Sequence, residues 1–244
     1  MSHERKSLVA TWQRRATVHA ALGDATRLAI LDQLGLGDAA PGELGRSLGL
    51  ASNLLAHHIG VLEAAGVVTR QRSEGDARRS YVRLAIEDAD VAKLAPLPEA
   101  PDGVRRLLFV CTHNSARSQL AAAAWGNVSS IPASSAGTAP SQRVHPRAVR
   151  VAARHGLSLD KARTQHISDA RRAGDLLVAV CDNAYEQLRD DPVALLHWAV
   201  PDPVAVESSA AFETAYSTIE TRVARLADVL SLPTRRSRRT HVRA

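Results

Sequence analysis

From residue 105 onward, short apolar runs alternate with stretches of helical period: RLLFV, then 116–127, SSIPASSAG, then 144–156, DLLVAVC, then 184–189, ALLHWAV, and a last helix over 209–231. Repeated strand–helix–strand units give a parallel sheet covered by helices. In such folds ligands sit at the carboxyl ends of strands, and Cys111 and Cys181 each fall at such an end. Upstream the pattern is different. Helical stretches come first: 8–21, DATRLAILDQL with Asp24 as N-cap, PGELGRSLG with Pro41 at the helix start, and ASNLLAHHIGVLEAAG. VVTRQRS and RSYVRLAI then read as a hairpin turned by EGDAR. The intervening DADVAKLAPLPEAPDGV holds three prolines and loses all periodicity from Ala95, as a linker does. The expected division is a first domain over 1–94, a linker over 95–104, a second domain over 105–232 and a tail over 233–244.

The strongest local signal is LLFVCTHNSARSQLAAAAW, residues 107–125, which sets Cys111 at the end of a strand and Arg117-Ser118 at the opening of a helix. Such a loop gathers the backbone N–H groups of Thr112, His113, Asn114, Ser115, Ala116 and Arg117 around one point at the positive end of the helix dipole. An oxyanion is expected there, and the same potential favours the thiolate, the nucleophilic form of Cys111. Arg117 can clamp two oxygens of a tetrahedral anion. Ser118 can donate to the sulfur and stabilise it as a leaving group, and Asn114 suits a left-handed turn inside the loop.

Charge alone decides little. Residues 1–98 carry 12 basic and 11 acidic groups, residues 99–232 carry 14 and 14, and residues 233–244 carry 5 and 0, so the net +6 resides almost wholly in the tail PTRRSRRTHVRA. That tail is read as disordered, serving either as a non-specific phosphate-binding arm or as a solubilising end. No apolar run approaches the roughly 18 residues of a membrane span, and the first thirty residues lack the apolar core of a signal peptide. The expectation is a cytoplasmic protein with no membrane partner. Two cysteines 70 positions apart make no disulfide scaffold, and in a reducing cytosol a spare thiol is buried or catalytic. In the hairpin, Arg70, Arg72, Arg78, Arg79 and Arg83 outweigh Glu74 and Asp76, enough to neutralise phosphates, although arginines on an isolated hairpin equally make a solvated face.

ALGDATRLAILDQL, PGELGRSLGL, SNLLAHHIGVLEAAGVV and the hairpin, over roughly residues 15–86, together resemble the ArsR-like family of winged helix-turn-helix repressors. The resemblance implies a homodimer that sets one helix per subunit in the major groove of a DNA operator and lays the wing along the backbone or minor groove. The recognition helix would run from Ser52 to Ala65, with Ser52, Asn53, Leu54, His57 and His58 as DNA-binding candidates and Arg70, Arg72, Arg78 and Arg79 on the wing. The family often has small polar residues where Asn53 to Ala56 stand; here one polar side chain is kept, and Leu54, Leu55 and Ala56 offer apolar contacts such as a thymine methyl. Many relatives sense metal or metalloid ions through cysteines in this domain. None precedes Cys111, which excludes thiolate sensing of arsenite there. His19, His57 and His58 form no ligand set, and no metal site is expected.

The second half, from Arg105 to about Leu230, resembles the low-molecular-weight tyrosine phosphatase fold, and more closely the arsenate reductases built on it. The resemblance is carried by CTHNSARS, SAGTAP at 135–140, VHP at 144–146, DLLVAVCD at 175–182 and HWAVPDP at 197–203. It implies that Asp202, in the pair Asp202-Pro203, is the general acid, facing Cys111 across the pocket mouth. Tyrosine phosphatases of this family flank the pocket with aromatic residues, some directly after the Asp-Pro. Here Val204, Ala205 and Val206 follow, a pocket suited to a small inorganic anion such as arsenate or phosphate. His113-Asn114 with Ser115, Ser118 and Gln119 likewise resembles the reductases. In their mechanism Cys111 attacks arsenate and thiol chemistry reduces the adduct. Thioredoxin-linked relatives use three cysteines; Cys181 matches the second, and Leu188 stands where a third would be sought. Electrons would then pass through a Cys111–Cys181 disulfide or come from an external mycothiol, glutathione or thioredoxin-type donor, with no bound cofactor. Cys181 equally reads as a small buried hydrophobe, and His145 and His197-Trp198 read as structural.

The expected fold class is therefore two domains: a mainly α winged helix-turn-helix, then an α/β three-layer domain with a central parallel sheet and a Cys-x5-Arg P-loop. The expected function is a transcriptional regulator fused to a thiol-dependent arsenate reductase. The alternatives are a non-catalytic oxyanion or redox sensor controlling DNA binding, and a low-molecular-weight protein tyrosine phosphatase.

Overall fold

Capping residues set the boundaries of the first half. In the computed structural model, which describes residues 3–231 apart from 96, 102 and 192, four helices precede a hairpin. They are α1 (His3–Leu22), α2 (Ala25–Gln33), α3 (Pro41–Leu48) and α4 (Ser52–Ala64), followed by β1 (Val68–Arg72) and β2 (Ser80–Leu84). Asp24 caps α2 by accepting from the Arg27 N–H at 3.0 Å. Pro41 opens α3, where its missing N–H costs nothing, and Glu43 accepts from the Ala40 N–H at 2.8 Å. Gly49 and Gly66, at φ of 65° and 67°, end α3 and α4 in the left-handed conformation that glycine tolerates. Leu55, Ile59 and Leu62 form the inner stripe of α4 and meet Val18, Ile30, Leu31, Leu44 and Val82 in one core. The hairpin pairs Val68 with Leu84 and Arg72 with Ser80. A short helix α5 (Ala89–Leu94) fills the start of the proline-rich stretch, and Val91 and Ala95 bury themselves in the same core.

The second half contains β3 (Arg106–Cys111), α6 (Arg117–Val128), β4 (Ala133–Gly137), α7 (Pro146–Arg154), α8 (Ile167–Ala170) and β5 (Asp175–Ala179). It ends with α9 (Asp182–Leu188), β6 (Leu195–His197), α10 (Pro203–Val206) and α11 (Ser209–Ser231). The sheet is four-stranded, in the order β4-β3-β5-β6, and every pairing is parallel. Flanked on both sides, β3 buries Leu107 to Val110 completely, which is why that run does not alternate. Helix α6 packs on β3, β4 and α11, while α9 packs on β3, β5 and β6. The chain leaves β3 toward β4 and returns to β5 on its other side, so the strand order reverses between β3 and β5. Outside the carboxyl ends of such a pair lies the crevice where α/β sheets bind ligands. Cys111 ends β3, and Cys181 follows β5 as the N-cap of α9. At the opposite end, Arg106 Nε donates to Asp175 Oδ1 at 2.7 Å. Burial pushes the Asp175 carboxyl up, but Arg106 and the Arg172 N–H outweigh it and hold that carboxyl below the ordinary value.

The two halves meet through buried polar groups. Loop 34–40 lies against the end of β6 and against α11. The Asp38 N–H donates to the His197 carbonyl at 2.7 Å, and Trp198 Nε1 to the Leu36 carbonyl at 2.8 Å. Any side chain at Gly37 would meet the His197 carbonyl at 2.9 Å. The Asp38 carboxylate accepts from Arg222 Nη2 at 2.7 Å and from the Ala199 N–H at 2.6 Å. Tyr81 of β2 sets its ring 4.3 Å from that of His197, which stacks on Tyr185 at 4.1 Å. Asp38→Ala would strand the buried Arg222 charge. It is expected to lower the unfolding free energy by about 3–5 kcal/mol, the usual consequence of breaking a buried pair. Urea unfolding followed by tryptophan fluorescence measures this, and Asp38→Ala combined with Arg222→Met should recover part of the loss.

Candidate active site

The Cys111–Arg117 loop is built from outside inward. Four of its carbonyls are satisfied by the segment after β4. Thr138, Ala139, Ser141 and His145 donate their N–H groups to the carbonyls of Cys111, Thr112, His113 and Ser115 at 3.1, 2.8, 2.9 and 2.8 Å. A loop with its carbonyls so engaged can turn its N–H groups to the other side, the arrangement from which anion-binding concavities are made. Gly137 allows this close approach, since a Cβ there would meet the Thr112 carbonyl at 2.6 Å. The SAGTAP and VHP segments are thus the outer wall of the loop.

Asn114 holds the interior. It takes a φ of 49°, and its fully buried side chain donates to Ser118 Oγ at 2.9 Å and Ser135 Oγ at 3.0 Å while accepting from the Gln165 N–H at 3.0 Å. Its backbone N–H points at Cys111 Sγ, 3.2 Å away, and Ser118 Oγ lies 3.1 Å from the same sulfur. Gln119 ties the loop to its surroundings, donating to the carbonyls of Asn114 and Arg163.

Arg117, the first residue of α6, is 5% exposed. Its Nη1 donates to the Val200 carbonyl at 2.8 Å, and its Nη2 stands 3.4 Å from Asp202 Oδ1. Asp202 also caps α10, accepting from the Val204 N–H at 3.2 Å. Burial works against the Arg117 charge, but Cys181, Asp202, Cys111 and Glu74 outweigh it and keep the guanidinium above its usual value. Cys181 is fully buried, accepts from the Ala184 N–H at 3.4 Å and stands 3.6 Å from Thr112 Oγ1. Burial pushes its thiol up; Arg117 opposes this and Cys111 adds to it, so Cys181 interacts with both groups of the loop while capping α9. The structure therefore gathers Cys111, Thr112, His113, Asn114, Ser115, Ala116, Arg117, Ser118, Cys181 and Asp202 into one site. His145 stands just outside, capping α7 by accepting from the Arg147 N–H. Burial and the nearby Arg147 and Arg150 push His145 down, toward the neutral imidazole that this contact requires.

One member of the site comes from the other half of the chain. Glu74, at the tip of the β1–β2 hairpin, places Oε2 3.0 Å from Arg117 Nη1 and accepts the Asp202 N–H on Oε1 at 2.6 Å. In the sequence it appeared only as one of two acids offsetting five arginines.

The DNA-binding candidates separate. Ser52, Asn53, Leu54 and His57 share the exposed face of α4, and Arg72 and Arg78 are exposed on the hairpin. Arg70 is exposed and paired with Glu63; Arg78 and the half-buried Arg79 both pair with Asp76, whose carboxyl is held well below its ordinary value chiefly by the Arg78 hydrogen bond. His58 does not join them. It follows Leu55 by three positions, falls on the inner stripe of α4 and is buried with Nδ1 3.6 Å from Asp24 Oδ1. Among the described residues no group of three or more His, Cys, Asp or Glu side chains is arranged to hold a metal, and no helix is long and apolar enough to cross a membrane.

Residues 106–236 match the low molecular weight phosphotyrosine protein phosphatase family, and residues 22–71 match a helix-turn-helix domain. The first match spans more than half of the chain, which belongs to that phosphatase family. Similar solved structures include an arsenate reductase from Archaeoglobus fulgidus DSM 4304, 27% identical, covering 50% of this chain and 98% of that one with a TM-score of 0.42. Another is the tyrosine phosphatase Wzb from Escherichia coli K30 in complex with sulphate, 27% identical, covering 52% and 99% with a TM-score of 0.48. No curated protein matches the chain.

Asn114→Ala would remove the buried network and place a Cβ-bearing residue without local hydrogen bonds in the left-handed region. It is expected to lower stability by about 2–3 kcal/mol. Asn114→Gly, which relieves the backbone strain but not the lost hydrogen bonds, should cost about 1 kcal/mol less. Urea denaturation of the two variants separates the contributions.

Proposed function

We propose that the chain is a DNA-binding regulator, with its helix-turn-helix unit over 1–94 and a linker over 95–104, joined to a thiol-dependent arsenate reductase over 105–232. The observation that carries the enzymatic part is the sulfur of Cys111, held by the Asn114 N–H and Ser118 Oγ at the N-terminus of α6, whose first residue Arg117 stands 3.4 Å from Asp202. The small residues after Asp202, ending in the exposed Val206, favour an inorganic oxyanion over an aromatic ester.

In this reading the Cys111 thiolate attacks arsenic and displaces an oxygen that Asp202 protonates to leave as water, forming a sulfur–arsenic(V) bond. Arg117 and the loop N–H groups carry the charge of the anion throughout. A second thiolate then attacks Cys111 Sγ. The sulfur–arsenic electron pair goes to arsenic, arsenite leaves, and a disulfide remains for an external thiol or redoxin to reduce. Cys181, whose sulfur lies 3.6 Å from Thr112 Oγ1 of the loop, is one candidate for that second thiol, and an external mycothiol-, glutathione- or thioredoxin-type donor is the other.

DNA contact falls to the open face of α4 and the hairpin arginines. A homodimer fits α1, where Leu8, Val9 and Trp12 are 50, 45 and 60% exposed. The docking of Glu74 on Arg117 is the one observation that favours the sensor reading as well, since it joins the oxyanion loop to the hairpin.

The test is arsenite production by purified protein from arsenate with a panel of thiol donors, alongside p-nitrophenyl phosphate hydrolysis. Cys111→Ser is expected to abolish arsenite production, and Arg117→Ala to cut kcat/KM by about 10²–10³. Unchanged turnover in Cys181→Ser would assign the second thiol to the external donor. Phosphate-ester hydrolysis without arsenite would make the chain a phosphatase, and anion binding without either reaction would make it a sensor.

A further inference from the structure

The hairpin tip does not lie free beside the oxyanion loop. Glu74 offers its carboxylate to Arg117 and to the Asp202 N–H. Its own N–H donates to Asp182 Oδ2 at 2.8 Å, and the other oxygen of that buried carboxylate meets His197 Nε2 at 2.9 Å. On either side of Glu74, Ser73 Oγ donates to Glu186 Oε1 at 2.7 Å, and Gly75 runs so close that a Cβ would lie 2.6 Å from Glu186 Oε2. At the base of the hairpin, Tyr81 donates to the same Glu186 oxygen at 2.9 Å.

A carboxylate is a planar anion with two acceptor oxygens, and here it takes up donors at the mouth of an anion site. Arg117 is buried, its Nη1 is divided between the Val200 carbonyl and Glu74 and its Nη2 faces Asp202, so an entering dianion meets a guanidinium whose charge two carboxylates already match. With Glu74 in place, that dianion would also meet two carboxylates, Glu74 and Asp202, within a few ångströms, and like charges at such distances repel strongly where water is scarce.

We infer that Glu74 is an internal ligand of the oxyanion pocket: its carboxylate occupies the guanidinium that arsenate or phosphate requires, so anion binding and docking of the hairpin tip exclude one another. The inference rests on the reading of the Cys111–Arg117 loop as an oxyanion site and adds its regulation. The displaced element is the hairpin that carries Arg72 and Arg78, so occupancy of the loop is communicated directly to the helix-turn-helix half. Only the differential affinity of the anion for the undocked form drives the release.

The experiment titrates inorganic phosphate into the full chain by calorimetry, using wild type, Glu74→Gln, Glu74→Ala and Arg117→Ala. Glu74→Gln keeps an acceptor for the Asp202 N–H while removing the charge, and its side chain, 30% exposed in the parent, can be accommodated without a cavity. Both Glu74 variants are expected to bind phosphate ten- to a hundredfold more tightly, within the usual range of coupling between sites. In wild type, phosphate is expected to speed hydrogen exchange of the Glu74 N–H. Equal or weaker phosphate binding by the Glu74 variants, with binding lost in Arg117→Ala, overturns the inference and leaves the oxyanion site standing. Tighter binding without faster exchange at Glu74 overturns the release of the tip. Phosphate binding by none of the four proteins overturns both the site and the inference.

Discussion

A guanidinium that is only 5% exposed must be given acceptors, and Arg117 takes them from two separate parts of the chain: the Val200 carbonyl and Asp202 after β6, and Glu74 in the hairpin. Each acceptor fixes something larger. Val200 and Asp202 belong to the segment that links β6 to α10, so the charge of Arg117 draws that segment over the carboxyl ends of β3 and β5. Glu74 belongs to the hairpin, so the same charge draws the first half of the chain onto the second. The burial of one side chain thus connects the anion loop, the candidate acid and the hairpin. Removing any single acceptor leaves a buried charge less well compensated rather than simply deleting a contact.

A second buried pair repeats the device beneath the first. Asp38 and Arg222 meet where loop 34–40 lies on α11, and Asp38 also satisfies the Ala199 N–H at the end of β6. Between the two pairs lies a ring stack of Tyr81, His197 and Tyr185, with Asp182 accepting from both His197 and the Glu74 N–H. A flexibly tethered pair of domains would keep such groups hydrated. Here Asp38, Asp182, Arg222, Tyr81 and His197 are withdrawn from water, and the contacts of Asp38 with Arg222 and of the Glu74 N–H with Asp182 set the two halves in one arrangement.

What was legible in the sequence was local. The Cys111–Arg117 loop is contiguous, and its chemistry follows from residue types at fixed spacing, down to the left-handed Asn114 and the contact of Ser118 with the sulfur. Strands β3 and β5, the cap Asp24 and the helix-opening Pro41 were equally readable, because apolar runs and helix-start residues leave a periodic or positional trace. Helices α5, α8 and α10, of 6, 4 and 4 residues, are too short to show a hydrophobic period. Glu74 lies 43 positions before Arg117, in a segment whose composition suggested phosphate contact, and a single contact between halves leaves no periodicity to detect. His58 was placed among the DNA-facing residues by family pattern, whereas its spacing from Leu55 and Leu62 marks it as inward-facing.

Val204, Ala205 and Val206 were read as leaving the pocket mouth bare, and Glu74 reaches the backbone N–H of Asp202, at the start of this same segment. In the function proposed above, small residues after the Asp-Pro pair suit the loop to a compact inorganic anion, and a carboxylate of the chain itself reaches Arg117 from the hairpin. The Cys111–Arg117 loop and the hairpin accordingly meet at one guanidinium, that of Arg117.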